Sequence, residues 1–269
     1  MLNFQTLHFT AGNDLPFILF LPSYTATAWY HGRLHERLQA DLRATLAEVE
    51  EFARGEYASA LMLGDDLPAE RQRALARQLA EYTGLSVDYI ARTNLRVNIY
   101  RFVKQLLREQ RRTVGRLDSR FTGIDRDAAG ELAEFDPSYA AIQGPYSATL
   151  NDYVRTELGF ESDLPYEILT DRVHPWKFDQ HHNQYVNVAE TLRQAMSVNP
   201  HLRVYVANGY YDLATPYWAT HYTFSHMALD PVLRANVTMD HFKAGHMMYV
   251  QQRSLSKLNK ALAAFVGPA

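Results

Sequence analysis

The sequence predicts an α/β protein in which a long helical block precedes two βα units of a parallel sheet. Three observations carry that expectation. Apolar residues recur at three- and four-residue steps between residues 33 and 110, the spacing of a stripe buried along a helix. Two compact runs near the C-terminus, 202–207 (LRVYVA) and 236–242 (NVTMDHF), carry the β-branched and aromatic residues of strands. Each run leads through a loop into a helical stretch, and such alternation marks a parallel sheet covered by helices.

Taken in order, the first helical stripe holds Leu34, Leu38, Leu42, Leu46, Val49 and Phe52, with Gly55 suited to end it. A second helix is expected from Pro68 to Gly84, burying Leu75, Leu79 and Tyr82. A third runs through Leu95, Ile99, Phe102, Val103, Leu106 and Leu107. Residues 111–136 are rich in Gly, Asp and Arg and read as a long loop, with a short extended piece within 113–123 (TVGRLDSRFTG). Helical periodicity returns weakly over 145–158 and again over 187–197. Asn208-Gly209 reads as a turn closing the first strand. A helix from Pro216 to about Met227 follows, then the second strand, the Ala244-Gly245 break, and an amphipathic closing helix over 254–266.

Composition narrows the function. Of 269 residues, 47% are hydrophobic and 21% charged, the balance of an ordinary globular protein rather than a disordered or fibrous one. Lys+Arg 27 against Asp+Glu 30 leaves no basic excess with which to grip a nucleic-acid backbone, so no nucleic-acid partner is expected. The absence of cysteine excludes disulfides, a thiol nucleophile and Cys-based zinc sites. The apolar run 16–24 (PFILFLPSY) is too short to span a bilayer and holds Pro22, so no membrane partner is expected. The first residues have neither a basic start nor a cleavage site, so they do not read as a secretory signal, and the sequence assigns no compartment. His31 and His35, His181 and His182, and His241 and His246 are close in sequence, but H-E-x-x-H is absent and no metal or other cofactor is expected.

Two residues stand where open α/β sheets keep their chemistry, at the carboxyl ends of strands. Asp212 follows the first strand in 208–216 (NGYYDLATP), and His246 follows the second in 244–249 (AGHMMY). A carboxylate that orients an imidazole is two-thirds of a hydrolytic triad, and acid before histidine is the order of α/β-hydrolases. Read singly, Asp212 is a turn former or helix cap and His246 a surface histidine. Tyr210, Tyr211 and Tyr249 flank the pair and are candidates to line a substrate cleft, with core packing the plainer role for two of the three.

These two motifs resemble the Asp and His motifs of the serine carboxypeptidase family, in its bacterial branch. Segments 13–33, 114–123 and 136–149 (DPSYAAIQGPYSAT) are similar to the later part of that family, and the resemblance covers the chain from about Leu2 onward. It implies a partial α/β-hydrolase fold: a residual core segment 1–23, a large helical cap 24–200 inserted before the last two strands, and a C-terminal core segment 201–269 with the Asp and His motifs. It further implies that Asp212 orients His246, and that His246 acts first as general base and then as general acid on a peptide substrate. The family's nucleophile elbow, G-E-S-Y-G, has no counterpart here, since no G-x-S-x-G occurs. The glycine-rich oxyanion loop W-N-G-G-P-G is missing too. The expectation is therefore the C-terminal part of such an enzyme, inactive alone, which associates with the missing N-terminal portion or with itself. The alternative is a non-catalytic helical binding or scaffold protein in which the pair is a relic.

Overall fold

The structure is a computed structural model that describes residues 2–166, 170–178 and 181–267. It is a mixed helical and sheet protein whose described residues form two small sheets of two strands each. The first helix, α1 (Leu15–Tyr30), is buried along most of its length, from Leu19 to Ala28. It is apolar on every side, which suits a helix at the centre of a bundle. Pro22 inside it removes a backbone donor. Segments 1–23 and 24–200 meet inside α1 and share it as one element.

Around α1 pack α2 (Glu36–Gln39), α3 (Leu42–Phe52), α4 (Ala58–Leu63), α5 (Ala69–Thr83), α6 (Val87–Arg92) and α7 (Ile99–Gln105). Asp41, Ser86 and Asn98 cap α3, α6 and α7 by accepting backbone N–H groups. Gly55 does not end the first stripe as expected. It lies in a π turn, Ala53–Tyr57, through which α3 continues into α4, and the stop comes at Gly64 with φ +54°. Burial explains the difference: Ala53, Tyr57, Ala60 and Leu61 keep packing into the core past Gly55. Pro68 and Gly84 bound α5 as expected, with Pro68 one residue outside the helix. The third stripe is shorter than expected, because Asn94 and Leu95 adopt positive φ and Asn98 starts α7. Leu95, Val97, Ile99, Phe102 and Leu106 still enter the same core.

The 111–136 region holds a short antiparallel pair, β1 (Thr113–Val114) with β2 (Thr122–Gly123). The long helix α8 (Pro137–Thr156) starts eight residues before the weak periodicity over 145–158. Asp136 caps it and Pro137 occupies its first turn, a start signal that the sequence reading passed over. Pro145 lies in its interior. After α9 (Ala189–Val198) come β3 (Val204–Gly209), α10 (Tyr217–Ser225), α11 (Pro231–Arg234), β4 (Val237–Phe242) and α12 (Gln252–Val266). β3 and β4 are parallel neighbours, in register from Val204↔Val237 to Gly209↔Phe242. Asn208-Gly209 is not a turn but the end of β3. A Cβ on Gly209 would stand 2.3 Å from the Gly245 carbonyl oxygen, so this glycine serves a close backbone approach. No described helix is long and apolar enough to cross a membrane.

A buried ion pair ties the helical block to the region after β2. The Lys104 ammonium on α7 meets the Asp125 carboxylate, and both side chains are 3% exposed. Lys104 Nζ also donates to the Asp127 carbonyl at 2.8 Å, and Thr113 Oγ1 donates to Asp125 at 2.8 Å. Removing one partner strands the other charge. Lys104→Met is expected to lower the unfolding free energy by about 3–5 kcal/mol in urea titrations, with part recovered on adding Asp125→Leu.

Candidate active site

Asp212 lies three residues beyond β3 and is 4% exposed. Its Oδ1 accepts from the backbone N–H groups of Ala214 at 2.8 Å and Thr215 at 2.9 Å, which folds the loop back before α10. That is the turn-forming role of an Asp after a strand. The other oxygen does something else. Oδ2 accepts from Thr215 Oγ1 at 2.8 Å and from His246 Nδ1 at 2.9 Å. The two residues 34 apart in sequence thus meet at the ends of adjacent parallel strands.

His246 follows β4 after the short turn 243–245. Its side chain is 41% exposed. Nδ1 faces both the carboxylate and Thr215 Oγ1, the latter at 3.1 Å, and Nε2 makes no hydrogen bond among the described residues. The hydrogen bond to Asp212 raises the His246 pKa above 6.5, against the opposing effects of burial and of the Arg116 guanidinium. The imidazole is therefore oriented by one nitrogen and open at the other. No serine hydroxyl hydrogen-bonds to it among the described residues.

The loop between β1 and β2 holds both strand ends together. The Arg116 carbonyl accepts from Leu213 N–H at 3.0 Å, and the Leu117 carbonyl from His246 N–H at 2.7 Å. Ser119 N–H donates to the Tyr211 carbonyl at 3.0 Å. Asp118 is the centre of this clamp. Its carboxylate accepts from Gly245 N–H at 3.1 Å and makes a two-pronged pair with Arg120, at 2.9 Å and 2.6 Å. Arg120 in turn donates to the Lys243 carbonyl at 2.9 Å. The fit leaves no room at residue 245, where a Cβ would stand 2.4 Å from that of Asp118. Asp136 and Ser138, at the start of α8, accept the N–H groups of Arg116, Leu117 and Asp118 and so fix the loop from behind.

Of the three tyrosines, Tyr211 is buried against Tyr30 and beneath Arg120. Tyr210 stacks on His241 and packs edge-on to Tyr217. Tyr249 alone is exposed, three residues past His246.

The sequence reading missed Asp118, Arg120 and Thr215, and also a pair of histidines. His221 on α10 and His241 on β4 meet through their Nε2 atoms at 2.9 Å, with ring centroids 5.0 Å apart and planes 11° from parallel. That centroid distance is close to the longest such a contact allows, so the rings meet end to end. This is the geometry of an N–H···N bond. A tetrahedral metal would need the two nitrogens to converge at an angle. The described residues hold no group of three or more His, Asp or Glu fit for a metal. Burial, His221, Arg43 and Lys257 push the His241 pKa down to about 4, with Glu50 opposing.

The two histidines leave opposite marks on stability. His246 gains protons on folding, so its contribution is full below pH 6.5 and fades as pH rises through its raised value. His241 resists protonation in the fold, so its contribution is full above pH 6.5 and is lost as pH falls toward about 4. In NMR titrations, Asp212→Asn is expected to bring the His246 midpoint down toward 6.5. In denaturation series, His241→Gln is expected to flatten the loss of stability between pH 6.5 and about 4.

Asp118→Asn strips the charge that Arg120 pairs with and weakens the hold on Gly245. The expected loss is about 2–4 kcal/mol in urea unfolding, with broadened His246 resonances; charge-free replacement of both partners, Asp118→Asn with Arg120→Met, is expected to cost less than Asp118→Asn alone.

No family model, no curated protein and no solved structure matches this chain, so the reading of the site rests on its own residues and their geometry.

Proposed function

We propose that Asp212 and His246 are the acid and the base of a serine-hydrolase triad of the carboxypeptidase kind, carried on the last two βα units of an α/β-hydrolase sheet. One observation supports this above the others: a buried carboxylate holds imidazole Nδ1 at 2.9 Å across two adjacent strand ends, while Nε2 has no hydrogen-bond partner among the described residues. In that role Nε2 takes the proton from an attacking hydroxyl and later gives it to the leaving amine of a peptide with a free C-terminus. Asp212 fixes the ring and stabilises the imidazolium. Thr215 Oγ1 adds a second fixed group on the Nδ1 side.

The hydroxyl and the oxyanion donors are not supplied by these residues. No G-x-S-x-G occurs in the sequence. The chain by itself therefore lacks the larger part of transition-state stabilisation and cuts no peptide. A polypeptide that brings those groups completes the reaction. A second reading, a helical binding protein with a relic pair, draws on α8, whose 20 residues bury only Pro137 and Ser138 and present Tyr146 and Tyr153 to solvent.

The test separates the pair from the missing hydroxyl. An oriented imidazole with a free nitrogen accelerates the hydrolysis of an activated ester such as p-nitrophenyl acetate without help from a serine. The expected result is slow ester hydrolysis whose His246-dependent part rises with pH through the His246 pKa, falls severalfold in Asp212→Asn and is lost in His246→Ala, leaving the background of the other histidines. A blocked dipeptide stays intact throughout. Ester hydrolysis unchanged in His246→Ala, or His246-dependent cleavage of the dipeptide by the chain alone, overturns the reading.

A further inference from the structure

Arg116 belongs to the loop that holds both strand ends, yet its own side chain is left free. Its backbone N–H donates to Asp136 at 3.1 Å, and its carbonyl accepts from Leu213, the residue after Asp212. The next carbonyl along, that of Leu117, accepts from His246 N–H. The Arg116 guanidinium is exposed and makes no hydrogen bond or ion pair among the described residues. Nearby arginines are all engaged: Arg101 with Glu131, Arg108 with two carbonyls, Arg120 with Asp118. The charge of Arg116 nevertheless reaches the site, where it opposes protonation of His246.

Arg116 also lines a cleft of about 400 Å³ between α7 and residues 132–136, a size within the range of small-molecule sites. The walls include Tyr100, Val103, Val114, Leu132 and Phe135, and of these Tyr100, Leu132 and Phe135 are exposed. Large apolar side chains gathered at the surface around a concavity mark a binding surface. The other charged residue of the lining, Asp136, is committed to the backbone. Its Oδ1 accepts from the N–H groups of Arg116 and Ser138, and its Oδ2 from that of Leu117. An apolar cleft with one uncommitted guanidinium in its lining is complementary to a ligand with an apolar body and a carboxylate.

We propose that Arg116 pairs with the free C-terminal carboxylate of a peptide, and that the apolar side chain of this terminal residue seats in the cleft. This role deepens the triad reading and rests on it for the identity of the ligand as a peptide. In such a substrate the terminal carboxylate lies one residue, roughly 3.5 Å, beyond the bond to be cut. Arg116 is correspondingly one residue from the carbonyl that holds the His246 backbone. A guanidinium grips a carboxylate through two parallel bonds, so it fixes the chain end in orientation as well as in place. An amidated end carries no charge and loses that grip, which selects the last residue of a chain over an internal one.

The experiment is an NMR titration of the whole chain with N-acetylphenylalanine. Saturable binding is expected, weakened roughly 10-fold or more by Arg116→Gln through loss of a charge-assisted bond, and partly restored in Arg116→Lys. N-acetylphenylalanine amide lacks the charge and N-acetylglycine the apolar side chain, and each binds roughly 10-fold more weakly. Arg116→Gln leaves the affinity for the amide unchanged. Thermal melts confirm that each variant is folded, and Leu132→Glu, at an exposed wall, is a second variant that weakens the acid. Absent binding, equal binding of acid and amide, or binding indifferent to both folded variants overturns the proposal. Ester hydrolysis identifies the source of the carboxylate. Acetylalanylphenylalanine, whose peptide bond reaches the imidazole, inhibits the His246-dependent part, whereas 3-phenylpropionate binds without inhibiting. Equal inhibition by the two overturns the peptide in favour of a free carboxylic acid. Absent binding beside His246-dependent ester hydrolysis leaves the Asp212–His246 reading standing, and Arg116-dependent binding beside ester hydrolysis indifferent to His246 leaves the carboxylate cleft standing.

Discussion

The Asp118 carboxylate is the contact on which the candidate site depends. Two strands place Asp212 and His246 on neighbouring tracks, but a strand end does not by itself fix a side chain to a few tenths of an ångström. The residues between β1 and β2 do that, by taking backbone bonds from both loops and threading one acidic side chain to Gly245 N–H at 3.1 Å. Arg120 makes this possible. It neutralises a carboxylate that would be costly to bury alone and ties it to the Lys243 carbonyl. The 116–120 segment is in turn held by Asp136 and Ser138 at the head of α8. A chain of polar contacts thus runs from the helix start, through the loop, to the backbone of Gly245 and His246.

The site also joins the two parts of the fold. Tyr217 at the start of α10 donates to Glu50 on α3 at 2.7 Å, and Glu50 is held by Arg43. Thr27 of the central helix shares a hydrogen bond with Ser119 at 2.6 Å. His31, at the end of that helix, bonds the Ser119 carbonyl at 2.7 Å. The βα units are therefore anchored to the helical block through polar groups at its rim, while Tyr211, Tyr217, Leu42 and Leu46 supply the apolar contact between them. The opposite ends of the strands, at Leu202, Val204 and Val237, pack instead on a separate apolar cluster of Met196, Met227, Leu229 and Leu233.

What the sequence disclosed follows its periodicities. The helix stripes, both strands and the Asp212–His246 meeting were legible because apolar spacing and strand–loop–helix order are local signals. Gly55 misled because one turn can widen to π geometry when the core beyond it still needs filling, and no local rule announces that. Asn208-Gly209 misled because the same dipeptide that makes a turn also permits a backbone to pass within touching distance of another. Asp118 and Arg120 were not singled out, although segment 114–123 carries part of the resemblance. Their importance comes from partners more than 120 residues away at Lys243 and Gly245, and a pair of charges in a Gly- and Arg-rich loop looks like any solvated loop.

The two glycines have a consequence for how the site can vary. At Gly209 and Gly245 main chain rests directly on main chain or on a neighbouring Cβ, with a separation that no added methyl could occupy. The spacing between acid and base is therefore set by peptide thickness, not by side-chain bulk. Mutations in the surrounding core can change how tightly the halves are pressed together, yet they have no spacer with which to tune that gap. The geometry is inherited whole or lost whole, like a joint machined without a shim.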